Sequence, residues 1–140
     1  MSDHAYCVFC KIVRGEFPAI RVHEDERTLT FMDIQPASPG HALVISKAHA
    51  PNLLEIAEPD LLAVAMITQR VARAVQRALA PDGLRIGQFN GAAAGQTVPH
   101  YHVHVVPVRE GQRAGTHGRE RAKPEELKAL AARIQAAMEA

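Results

Sequence analysis

The chain has 140 residues, 47% of them apolar, which is enough for a packed core and excludes disorder as its general state. Sixteen Lys and Arg against fifteen Asp and Glu leave a net charge of +1, and the arginines are scattered, so nothing electrostatic favours nucleic acid. The polar start "MSDHAY" shows no signal-peptide pattern and no run is apolar enough to span a bilayer, so a cytoplasmic protein with no membrane partner is expected.

The first feature along the chain is Cys7-x-x-Cys10, the only two cysteines. Their spacing permits a redox pair, two inert buried thiols, or half of a structural zinc site. A redox pair of the thioredoxin type needs a strand before it, and no strand fits ahead of residue 7. "AIRVHED" (19–25) and "TLTFMDI" (28–34) read as two strands joined by a short charged turn. "HALVIS" (41–46) follows the Pro/Gly loop "QPASPG" as a third strand.

The clearest helix covers about residues 60–79. Leu61, Val64, Ala65, Thr68, Val71, Ala72, Val75 and Leu79 form its apolar stripe, with Arg70, Arg73 and Arg77 on the solvated side. Pro59 and Asp60 suit its start, and "PDG" (81–83) stops it. "LRIGQF" (84–89) reads as a fourth strand. A last helix over about 124–138 opens with Pro124, Glu125 and Glu126 and presents Leu127, Leu130, Ala131, Ile134 and Met138 on one face. There is no repeat, linker or composition break. Residues 1–140 therefore read as a single α+β domain on an antiparallel sheet of about five strands with two main helices.

The fifth strand lies in "TVPHYHVHVVPV" (97–108). Alternation in a strand puts His100, His102 and His104 on one face and Tyr101, Val103 and Val105 on the other. On a helix the same three would spread over about 200°. At about 3.3 Å per residue the outer imidazoles start about 13 Å apart, so a single ion cannot easily gather all three. Divided labour is expected. Just upstream, "FNGAAAGQT" offers small residues around Gly95, with Asn90, Gln96 and Thr97 as neutral donors, the kind of loop that approaches a phosphate closely. Imidazole is a competent nucleophile towards phosphorus, and such transfer asks mainly for positioning and electrostatic support.

"HYHVHVV" resembles the His-φ-His-φ-His-φ-φ signature of the histidine triad (HIT) family of nucleotide hydrolases and transferases. "CVFCKIVRGEFPAIRVHEDE", "TFMDIQPASPGHALVISKAH" and "FNGAAAGQTV" are similar to the matching segments of its nucleotide-binding, phosphoramidase branch. The resemblance implies that His102 attacks the α-phosphorus of a purine nucleoside monophosphate conjugate, forming a nucleotidyl-histidine that water then cleaves. His104 and His41 would hold the surrounding hydrogen-bond network. Asn90, Gly95, Gln96 and Thr97 would grip the phosphate; Thr97 replaces a common serine and keeps the hydroxyl. Asp33 would hold the ribose, and Val8, Phe9, Ile12, Phe31 and Ile34 the base. Core packing is the rival reading for those five, and a plain turn carboxylate for Asp33.

For the cysteines, the resemblance nominates His49 and His100 as further ligands of a structural zinc, leaving His102 free to attack. It also implies a homodimer joined along sheet edges, and places leaving-group contacts near the basic stretch "REGQRAGTHGRER". His4, His23 and His117 read as surface residues. Three other readings stay open: a dinucleoside polyphosphate hydrolase, a non-catalytic nucleotide- or partner-binding module, and a zinc-binding structural protein.

Overall fold

The computed structural model describes residues 5–112 and 120–138. His4, His117 and the middle of the basic stretch expected to meet the leaving group lie outside them. Five strands form one antiparallel sheet: β1 (Arg21–Glu24), β2 (Thr28–Met32), β3 (Ala42–Ser46), β4 (Gly83–Gly87) and β5 (His102–Val108). Their order across the sheet is β1-β2-β3-β5-β4, every neighbouring pair antiparallel. With the helices α1 (Val8–Val13), α2 (Glu58–Leu79) and α3 (Pro124–Met138), this is the expected α+β architecture.

Two features depart from the sequence reading. Helix α1, only six residues long, was not foreseen, because its cysteine-bearing segment is too short to show a helical period. The histidine strand begins at His102, so His100 precedes it rather than sharing its face. The backbone turns there: the His100 N–H donates to the Val98 carbonyl at 2.8 Å, and the Tyr101 N–H to the Ala50 carbonyl at 2.8 Å.

Cross-strand register sets the two faces. Leu29 faces Ile45, which faces His102; Phe31 faces Leu43, which faces His104, which faces Gly87. The opposite face carries Met32, Ala42, Val44, Val103 and Val105. Val64, Ile67, Val71, Ala74 and Val75 of α2 and Leu127, Ala131 and Ile134 of α3 pack onto that face. On the histidine face, Phe9 and Ile12 of α1 pack against Leu29, Phe31, Leu43 and Ile45. Because both faces are covered, β2 and β3 are buried at every position instead of alternately.

The α2 stripe needs one correction. Ala65 is exposed, and Ile67 and Ala74 fill the core instead. Arg77, read as solvated, reaches across to the Ala137 carbonyl at 3.2 Å. At the C-terminal end of α2, Ala80 adopts a left-handed conformation (φ 46°), and Arg109 donates to the Leu79 and Ala80 carbonyls. The arginine thereby satisfies carbonyls that a helix end leaves unpaired.

Gly40, immediately before His41, has φ +100° and packs under α2: a Cβ there would press into Leu79 and lie 3.1 Å from Pro107 Cγ. Strain from the left-handed backbone adds to that overlap. Gly40→Ala is expected to lower the unfolding free energy by about 2 kcal/mol, read from denaturant melts at constant m-value. Unchanged stability would show that this turn is not under constraint.

Candidate active site and candidate metal centre

Four buried imidazoles, His41, His100, His102 and His104, lie on or beside the histidine face, and main-chain groups fix, directly or through a neighbouring ring, where their protons sit. The His102 Nδ1 lies 2.6 Å from the His100 carbonyl, which can only accept. The proton is therefore on Nδ1, and Nε2 keeps its lone pair. The Ala37 N–H donates to His41 Nδ1 at 3.0 Å, so the His41 proton is on Nε2. That Nε2–H points at His104 Nδ1, 2.9 Å away, which makes His104 a donor through its own Nε2. Phe9 stands edge-on to His102, with centroids 5.1 Å apart, and Phe89 packs on His104 at 5.6 Å. Phe89 was not anticipated; Gly87, opposite His104 in the ladder, makes room for its ring.

His100 belongs to a different group. Its Nε2–H donates to the Ser46 carbonyl at 2.6 Å, leaving the Nδ1 lone pair facing Cys7 Sγ at 3.4 Å and Cys10 Sγ at 3.5 Å. His49 Nδ1 lies 3.3 Å from Cys10 Sγ. All four donor atoms lie within 4.8 Å of one another. A tetrahedral site with zinc–sulfur bonds of about 2.3 Å and zinc–nitrogen bonds of about 2.0–2.1 Å needs sulfur–nitrogen separations of ~3.5 Å. The observed separations match. Burial and the neighbouring Cys7 push the Cys10 thiol up to about 12, so without a cation this thiol holds its proton.

A second cluster, Asp33, His41 and His104, is equally compact, with His41 Nε2 3.5 Å from Asp33 Oδ2. Its tautomers make it a poor metal site. A metal at His41 Nε2 would drive the ring proton onto Nδ1, which faces the Ala37 N–H donor. Metal-bound histidines instead donate their second nitrogen to an acceptor, as His100 does to Ser46. The two clusters are chemically distinct: one is ready for a metal, the other is a hydrogen-bond relay.

A cleft of about 630 Å³ opens beside His102. Of the residues expected to bind nucleotide, Val8, Phe9, Ile12, Phe31, Asp33, Ile34, Thr97 and His102 line it. Ile34 is 48% exposed, so it is no core residue, whereas Ile12 also packs into the core beneath. Asp33 is both things foreseen for it: Oδ1 accepts the Gln35 N–H at 2.8 Å in a turn, and the residue lines the cleft. Phe17, Pro18 and Ala19 also line it and were not anticipated; so does Arg121, the last residue of the basic stretch expected near the leaving group.

The phosphate-gripping set divides. Gln96 Oε1 accepts the Gly91 N–H at 2.7 Å, and its Nε2 donates to the Pro51 and Val98 carbonyls. Asn90 Oδ1 accepts the Leu53 N–H at 2.8 Å and a Gln88 amide hydrogen at 2.7 Å. Both amides brace loops, and neither residue lines the cleft. The N–H groups of Ala94, Gly95 and Gln96 are spent on the Gly91 and Ala92 carbonyls within a 3₁₀ turn. Gly95, with φ +101°, closes that turn. Thr97 and Val98, in contrast, line the cleft together with His102. His23, expected at the surface, is half-buried 3.4 Å from Asp25.

Known proteins are similar to this chain over most of its length. The chain is 38% identical over 134 residues to Protein hit of Bacillus subtilis, covering 91% of each. It is 38% identical over 101 residues to the adenosine 5′-monophosphoramidase of Schizosaccharomyces pombe, covering 72% of this chain and 73% of that protein. A HIT-like protein from Bartonella henselae superposes with TM-score 0.92 at 40% identity, covering 97% of this chain and 98% of that one. A zinc-bound histidine triad protein from Mycobacterium smegmatis superposes with TM-score 0.85 at 39% identity, covering 98% and 96%. Residues 14–111, which carry the sheet, α2 and all three triad histidines, match the HIT domain, and the chain belongs to that family.

Proposed function

We propose that the protein is a hydrolase of nucleoside 5′-monophosphate conjugates, of the phosphoramidate type, acting through a nucleotidyl-histidine. One observation carries this reading: the His102 tautomer, with Nδ1–H on the His100 carbonyl and a lone pair on Nε2 beside the cleft. An imidazole in that state needs no base to remove a proton before it attacks. The likeness to an adenosine 5′-monophosphoramidase supports the same chemistry.

In this mechanism, His102 Nε2 bonds to the α-phosphorus as the phosphorus–nitrogen bond to the leaving group breaks. The leaving nitrogen departs as an amine, with a proton supplied by water. His102 Nδ1 keeps its proton, and the His100 carbonyl supports the positive imidazolium. Water then attacks phosphorus, the histidine–phosphorus bond breaks and the nucleoside monophosphate leaves. The His104 Nε2–H, held by His41, and the Thr97 group donate to the phosphoryl oxygens, where charge builds up. Asp33 accepts from the ribose. Val8, Phe9, Ile12, Phe31 and Ile34 enclose the base, and Asn90, Gly95 and Gln96 act indirectly by holding the loop in shape.

Cys7, Cys10, His49 and His100 hold a structural zinc in this reading. Bound there, the metal supplies cross-linking between α1, the segment after β3 and the approach to β5, with no part in the chemistry. A homodimer completes the assembly: Leu62 and Met66, one turn apart on α2, and Ile86 on the terminal strand β4 are all exposed apolar side chains that a second copy would cover. Among the described residues no helix is long and apolar enough to cross a membrane.

Wild type incubated with an adenosine phosphoramidate is expected to release AMP and to trap an acid-labile nucleotidyl adduct. His102→Ala should lower kcat by roughly a thousandfold or more and abolish the adduct. Turnover that survives the substitution would remove the nucleophile, and release by neither protein would favour the binding module. Elemental analysis of protein purified without chelator should give one zinc per chain. Cys7→Ser should lose the zinc and lower Tm by roughly 5 °C or more; metal-free wild type with the same Tm would end the zinc reading. In sedimentation, the pair Met66→Glu and Ile86→Arg should convert a dimer to monomer.

A further inference from the structure

We propose that Arg121 selects the base, favouring guanine over adenine; this rests on the reading of the cleft as a nucleotide site. Ring contacts run from His102 to Phe9 (5.1 Å) and from Phe9 to Phe31 (5.4 Å), and so lead away from the nucleophile towards the end of β2. There the cleft is lined by Ile34, Gln35 and Arg121. The Ala122 N–H donates to the Ile34 carbonyl at 3.0 Å, which pins the segment carrying Arg121 against this end.

Phe17 (42% exposed) and Ile34 (48% exposed) line the same end. Exposed apolar side chains on a cleft suit a flat ring lying between them. Among the described residues lining the cleft, Arg121 is the one permanently cationic side chain and Asp33 the one carboxylate. Asp33 takes the Gln35 N–H and lies 3.5 Å from His41 Nε2. Arg121 is exposed and lines the cleft, where it can meet a ligand.

What it can meet follows from its hydrogen-bonding inventory. A guanidinium has five donors and no acceptor. The outer edge of guanine presents two adjacent acceptors, N7 and O6, which match the guanidinium fork. Adenine presents N7 beside an amino donor, so one arm of the fork meets a hydrogen instead of a lone pair. A lysine would supply the charge without the fork.

The test compares wild type, Arg121→Ala and Arg121→Lys with guanosine and adenosine phosphoramidates of the same leaving group. In parallel, calorimetry measures GMP and AMP binding. Wild type should prefer guanosine by roughly tenfold or more in kcat/KM and in affinity. In Arg121→Ala both ratios should collapse to within about twofold of one, and Arg121→Lys should restore only part of the preference. Equal use of the two bases by wild type, a ratio that persists in Arg121→Ala, or an equal loss on both bases would each overturn the proposal. If neither phosphoramidate is cleaved, the hydrolase reading fails while the calorimetric ratio still decides the role of Arg121. If neither nucleotide binds, both readings fall.

Discussion

Main-chain carbonyls and N–H groups decide where the protons sit on the buried imidazoles, and the chemistry of this face depends on that. A neutral histidine has one proton for two nitrogens, so a backbone partner on one nitrogen dictates the state of the other. The His100 carbonyl holds His102, the Ser46 carbonyl holds His100, and the Ala37 N–H holds His41, which in turn orders His104. These partners are fixed by strand register and turn geometry and do not themselves titrate. The side chains are thereby set before any ligand arrives.

The same rule separates two clusters that look alike by composition and compactness. His100 donates its ring N–H to a carbonyl and turns a lone pair to two sulfurs; His41 Nδ1 accepts a hydrogen bond from a backbone N–H and carries no proton on that side. The first can release the thiol protons of Cys7 and Cys10 and take up a cation in their place. The second passes hydrogen-bond direction from the Ala37 N–H through His41 to His104. His100 takes part in both regions, through its ring in one and its carbonyl in the other, because the chain turns at Val98–His100 before entering β5. A strand that began two residues earlier would have placed the ring on the sheet, out of this role.

Much of this was legible in the sequence because period-two alternation is a strong signal. His102 and His104 on one face, with Val103 and Val105 on the other, follow from it, whereas β2 and β3, buried at every position, show only as short apolar runs between turn residues. The mostly apolar slot of Val8, Phe9, Ile12, Phe31 and Ile34 came through resemblance rather than pattern. Other features were hidden for physical reasons. Helix α1 is shorter than two turns and gains its order from Phe9 and Ile12 packing on the sheet. The amides of Asn90 and Gln96 looked like phosphate ligands because residue type does not reveal whether a donor is already used by a nearby carbonyl or N–H. Arg121 ends the basic stretch expected near the leaving group, but its place beside Ile34 was not legible, because the Ala122 N–H bond to the Ile34 carbonyl joins segments far apart in sequence.

Helix α1 ties these strands of reasoning together. Its cysteines face His49 and His100, and its Phe9 touches His100, His102 and Phe31. A six-residue helix cannot hold itself in water, so its position is set by what it packs on and by what its cysteines bind. The free Cys10 thiol is pushed up to about 12 by burial, so in the absence of a cation it offers only weak, neutral contacts. A bound cation would replace those protons with bonds spanning three chain segments. The wall of the cleft and the carbonyl that holds His102 lie on two of those segments. Stability of the clip and precision of the slot are therefore properties of the same few residues, and a substitution at Cys7 or Cys10 should be felt at Phe9 before it is felt in the sheet.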